Sequence, residues 1–171
     1  MPSARKRPRW DRSSSTKIAV DVDHVGITAP LGKRRVKEIV RAVCERERVK
    51  HAMISVTFVT NRAIAAMNKK YLEHAGATDI ITFELSHPAT EETTAETNRV
   101  VMGDMYIAPA VARANAEAHR IPIREEMIRL VVHGTLHVLG YTHPEGDTRT
   151  RSPMWRRQER LVEEQLDVFD R

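Results

Sequence analysis

The chain has a single cysteine, Cys44, among 171 residues. No internal disulfide can form, so the fold is expected to be held by packing alone and to suit a reducing, cytoplasmic compartment. Cys44 lies on an apolar helical face and is expected to pack there. No apolar run is long enough to span a bilayer, and the basic N-terminus lacks the apolar stretch of a secretory signal. Membrane partners are therefore not expected. Repeats and heptads are also missing, which argues against a solenoid or a coiled coil. Acidic residues fall short of basic ones by five, giving a sequence pI near 9.7 and a bias toward polyanions such as RNA. Much of the excess sits in Arg5, Lys6, Arg7, Arg9 and Arg12. Residues 1–16 are expected to form a flexible basic tail, leaving 17–171 as one domain.

Hydrophobic period sets out that domain. Ile18 to Asp23 alternates as a strand, and Val36, Ile39, Val40, Val43 and Cys44 recur at helical spacing within 33–48. Residues 53–59 read as a second strand, followed by a helix capped at Thr60-Asn61. Thr78 to Phe83 forms a β-branched run, and 99–107 a further strand interrupted at Gly103-Asp104. The polar stretch 86–98 between them is expected to be a flexible loop or hairpin tip. Helices are expected over 109–120, from Pro122 to about Gly140, and from the Ser152-Pro153 cap to about Asp167. The order predicts an α+β single domain, a mixed four-stranded sheet flanked by about five helices.

Chemistry concentrates at the end of the penultimate helix, in His133, His137 and His143. Residues four apart on a helix share a face, about 6 Å apart along the axis. Gly140 is suited to end the helix in a left-handed conformation and turn the chain so that His143 returns as a third ligand. Three nitrogens leave the fourth tetrahedral vertex of Zn²⁺ for water, the arrangement of a catalytic site rather than a structural one. The same spacing occurs in zinc proteases of the metzincin type, where a glutamate follows the first histidine as general base. Here that position is Gly134, so the cradle is intact and the protease's base is missing. The other histidines, His24, His51, His74, His87 and His119, read as surface or loop residues.

The segment from His133 to His143 resembles the signature of the YbeY family of bacterial endoribonucleases. Asn68 and Tyr71 ahead of Thr78 to Phe83, the Gly103-Asp104 strand through Ile107, and Met154 and Glu159 also match, in order, across roughly 17 to 165. The resemblance implies a single-strand-specific, metal-dependent endoribonuclease that matures the 3′ end of 16S rRNA and serves ribosome quality control. Zn²⁺ would be held by His133, His137 and His143. The small ribosomal subunit and its assembly factors would be partners. Two positions depart from the family pattern: Leu72 stands where many members carry arginine, and Thr142 where many carry aspartate.

An ion on three imidazoles supplies a water of lowered pKa, and Asp79 and Asp104 are the candidate acceptors for its proton. Arg149, Arg151, Arg156 and Arg157 follow the third histidine closely and are candidates to face the RNA. Tyr141 is expected to pack on the helix end, Met154 to lie beneath the metal helix, and Glu159 to tether the last helix. A zinc metalloprotease-like hydrolase and a non-catalytic, zinc-stabilised ribosome-assembly factor remain the alternatives.

Overall fold

A computed structural model describes residues 16–86, 100–144 and 146–168. Most of the basic tail and nearly all of the polar stretch 86–98 lie outside these residues. The elements run β1 (Lys17–Val25), α1 (Lys33–Arg46), β2 (His51–Val59), α2 (Asn61–Leu72), β3 (Ile80–Glu84), β4 (Val100–Ile107), α3 (Pro109–His119), α4 (Ile123–Val138) and α5 (Pro153–Asp167). The sheet order is β1-β2-β4-β3, with β1, β2 and β4 mutually parallel and β3 antiparallel to β4. The expected mixed sheet and five helices are thus present. A 3-10 turn at Gly146–Arg151, which periodicity did not reveal, joins the third histidine to α5.

Alternation along the strands divides the sheet into two faces. Ala52, Ile54, Val56 and Phe58 of β2 are buried, with Met105 and Ile107 of β4, against a layer containing α1 and α4. The opposite face is covered at one end by α2, where Ile64 packs with Val59, Ile81 and Ala108. The caps act as the sequence indicates: the Thr60 hydroxyl accepts from Ala63 N–H and the Ser152 hydroxyl from Trp155 N–H.

α4 sits at the centre, against α1, α3, α5, β3 and β4, and is buried over most of its circumference. Two glycines permit this. A Cβ on Gly103 would lie 2.5 Å from a Val138 methyl and 2.8 Å from the Phe83 carbonyl oxygen, and one on Gly134 would lie 2.5 Å from Met105 Sδ. The expected break of β4 at Gly103-Asp104 is therefore corrected: the strand runs on without interruption, because Gly103 serves the close approach of α4 rather than a turn. His24 and His51 also need correction, since they lie in β1 and β2, where His24 is half-buried and edge-on to Phe58 with ring centroids 5.2 Å apart. α5 is tied to α4 through Arg129, which donates to Glu125, Glu126 and Glu159. Glu159 thereby supplies the tether expected of it.

Candidate metal centre

The last turn of α4 builds the site. Gly140 adopts φ 93°, Gly140 N–H donates to the His137 carbonyl, and Tyr141 N–H reaches back to the Leu136 carbonyl. This left-handed stop turns the chain so that His143 comes back over the helix end. Ring centroids are 4.4 Å apart for His133 and His137, 5.2 Å for His133 and His143, and 5.0 Å for His137 and His143. One potential ligand atom from each residue lies within 4.8 Å of the others. Among the described residues no fourth His, Cys, Asp or Glu joins the group.

Hydrogen bonding fixes which nitrogens face inward. His133 Nδ1 lies 2.7 Å from Gln158 Oε1, His137 Nδ1 2.9 Å from the Tyr141 carbonyl, and His143 Nδ1 2.9 Å from the Pro144 carbonyl. Carbonyl oxygens only accept, so in neutral His133 and His137 the Nδ1 is the donor and the Nε2 carries a lone pair. The Gln158 amide is oriented by its own Nε2, which donates to the Glu159 carboxylate. His133 Nε2 and His137 Nε2 are then two acceptors facing each other at 3.0 Å, a repulsive contact with no proton between them. A cation relieves it. Two nitrogens at ~2.0–2.1 Å on a tetrahedral ion stand about 3.3 Å apart, so the pair fits zinc with a shift of a few tenths of an ångström.

Protonation is a poor substitute for the metal. Burial pushes His133 down to about 4, against the opposing pull of Gln158, with His137, Arg149 and His143 lowering it further. His137 is also lowered, first by burial and then by His143. A histidine whose folded pKa lies below its unfolded value contributes stability above the unfolded value and loses it as pH falls toward the folded one. For metal-free protein we expect His133 to contribute a loss of about 2 kcal/mol between pH 7 and pH 5. Denaturant titrations of chelated wild type beside His133→Asn measure it, and equal pH slopes in the two proteins would contradict it.

Sequence reasoning missed two supporting residues. Gln158 is 1 % exposed and sits on the apolar stripe of α5 with Met154, Leu161, Val162 and Gln165. A glutamine on such a stripe is the signal that could have found it. Glu47, at the end of α1, accepts from the Tyr141 hydroxyl and from Arg157 Nε, and no local pattern announces it. Gln158→Leu is expected to weaken metal binding about 10- to 100-fold, because His133 loses the acceptor that fixes its tautomer. Competition with a zinc chelator measures this, and an unchanged affinity would show that Gln158 does not orient the ligand.

The other candidates are placed differently. Asp104 lies on the α2 face of the sheet, opposite α4, and accepts from the Ser55 hydroxyl. Asp79 accepts from Asn115 of α3 and from Thr78. Neither carboxylate is at the histidine cluster. Arg149 stacks over Trp155, 5.5 Å from its ring centroid, and opposes the charged forms of His133 and His137. Arg151 and Arg156 are exposed, while Arg157 is bound to Glu47. Tyr141 packs against the core, as does Met154, which is 2 % exposed. Leu72 and Thr142 are both exposed.

Fold and site together define a single-domain α+β protein with a three-histidine centre on a buried helix and no protein donor at the fourth vertex among the described residues. The chain belongs to the YbeY family: the family model described as "Endoribonuclease YbeY" matches residues 18–165. An endoribonuclease YbeY of Syntrophus aciditrophicus is 31% identical over 150 residues, covering 88% of this chain and 84% of the relative. One from Geobacillus kaustophilus is 30% identical over 151 residues, covering 85% and 96%. A Thermotoga maritima protein solved in solution shares the fold at TM-score 0.55 and 21% identity, over 88% of this chain and 91% of that one. No helix among the described residues is long and apolar enough to cross a membrane.

Proposed function

We propose that this chain is a single-strand-specific, zinc-dependent endoribonuclease that matures the 3′ end of 16S rRNA and serves ribosome quality control in the cytoplasm, working with the small ribosomal subunit and its assembly factors. The observation that carries the reading is the convergence of three imidazoles, with His133 and His137 Nε2 3.0 Å apart and each Nδ1 of the triad beside an oxygen. Family membership supplies the substrate class, since the relatives are named endoribonucleases.

Zinc held by His133, His137 and His143 supplies Lewis-acid polarisation of a phosphoryl oxygen and lowers the pKa of a water. The protein's part is to hold three imidazoles in place. Gln158 and the Tyr141 and Pro144 carbonyls lock the tautomers, and the buried wall behind His133 keeps it unprotonated. His137 and His143 are half-buried, which leaves their side of the site open to a strand from solvent. The position that carries the base in zinc proteases is here Gly134, turned toward Met105 and Ile80 of the sheet. The metalloprotease reading thus lacks both its carboxylate and the room for one.

The test is cleavage of single-stranded and duplex RNA by purified, zinc-loaded protein. We expect cuts in the single strand that stop with chelator and resume with zinc. Metal-loaded protein that leaves the single strand intact under all conditions would overturn the nuclease reading in favour of an assembly factor. Peptide cleavage without RNA cleavage would favour the protease. End-group analysis then separates two routes: a 5′-phosphate product excludes attack by the RNA's own 2′-hydroxyl.

A further inference from the structure

An open cavity of about 460 Å³ is lined by Tyr141, Pro153, Arg156, Arg157 and Arg160. Tyr141 is shared between this cavity and the metal centre, because its carbonyl accepts from His137 while its ring forms a wall of the cavity. Two acids at this end of the molecule are already matched. Glu47, with a side chain 5% exposed, is held by Arg157 and the Tyr141 hydroxyl, and Glu164 is paired with Arg46 at 3.0 Å. Arg156 and Arg160 are exposed, and among the described residues neither has an ion-pair partner.

These two arginines are four residues apart on α5, so they stand one above the other on one helical face. Two guanidinium groups so placed offer forked donors matched to phosphate oxygens, and Arg157, bound to Glu47, lines the cavity with them. We propose that this cavity binds a backbone phosphate of single-stranded RNA, with Arg156 and Arg160 as its donors. The assignment rests on the endoribonuclease reading for the identity of the ligand. Pairing of Glu47 with Arg157 is what makes the site selective for an anion, since an unpaired carboxylate there would repel one.

The test separates binding from cleavage. Chelated, metal-free protein is titrated with a fluorescein-labelled oligouridylate over a range of salt, comparing wild type with Arg156→Gln/Arg160→Gln. Both side chains are exposed, and thermal melts verify that the variant is folded. We expect the double variant to bind at least tenfold more weakly, with a salt slope shallower by about 0.7 per lost phosphate contact. Arg156→Lys/Arg160→Lys should keep the slope and recover part of the affinity. The charge-matched pair Arg62→Gln/Arg113→Gln, on α2 and α3, should bind as wild type does. In metal-loaded protein the loss should fall on KM and leave kcat within twofold.

Equal affinity and slope in wild type and variant would overturn the assignment, as would an equal loss in the charge-matched pair or no RNA binding by wild type. Arginine-dependent binding without any cleavage would sink the nuclease reading and leave this phosphate site standing. Cleavage with unaltered binding in the double variant would do the reverse.

Discussion

His137→Ala is expected to remove bound metal and to lower cleavage of single-stranded RNA by roughly three orders of magnitude or more, without unfolding the protein. His137 is half-buried in the last turn of α4, where alanine is a favourable helix residue. Its removal also abolishes the 3.0 Å contact between two Nε2 lone pairs, so the metal-free variant loses no stabilising interaction at that nitrogen. His133→Ala is a poorer test, because it strands the Gln158 oxygen in a buried site at a cost of about 1–3 kcal/mol. Thermal melts with added zinc give an independent reading. Wild type should gain stability with each increment of free zinc, as an ion that binds only the folded state requires, and His137→Ala should not. A variant that still takes up stoichiometric zinc and still cuts RNA would show that the triad is not the metal site.

The features legible in sequence are the local ones. Helical period placed α1 through its buried Val36, Ile39, Val40, Val43 and Cys44, and Gly140 with His143 announced the turn that completes the triad. Cap residues located the starts of α2 and α5 within a residue. What escaped depends on partners distant in the chain. The Tyr141 hydroxyl finds Glu47 across 94 positions, and His133 finds Gln158 across 25. Asp104 illustrates the same limit: alternation along β4 sends its side chain to the sheet face opposite the histidines, and which face meets α4 is settled only by packing. Gly103 likewise reads as a break in a strand until the helix lying against it is known.

At Gly134 the structure adds a steric reason to the missing base that the spacing shows, and it yields the second large effect. By spacing alone it is the vacant position of a protease's general base, so Gly134→Glu ought to restore a carboxylate beside the metal. In the structure its Cα faces β3 and β4, and a Cβ would stand 2.5 Å from Met105 Sδ and 2.7 Å from Ile80 Cδ1. Met105 is fully buried. A glutamate there drives an ionised group into that apolar contact without a partner, a cost of several kcal/mol against a typical domain stability of about 5–15 kcal/mol. We expect Gly134→Glu to be insoluble or to unfold without a cooperative transition, and to hydrolyse no peptide. Gly134→Ala separates volume from charge. Overpacking costs about 1–3 kcal/mol, and the better helix propensity of alanine returns about 1 kcal/mol. The net loss should be no more than about 2 kcal/mol in denaturant titration, with zinc content unchanged, because Met105 and Ile80 end in flexible groups that can yield. Should Gly134→Glu instead prove soluble, metal-loaded and active on peptides, then the glycine does face the metal and the helix is seated on the sheet in a different rotation from the one described.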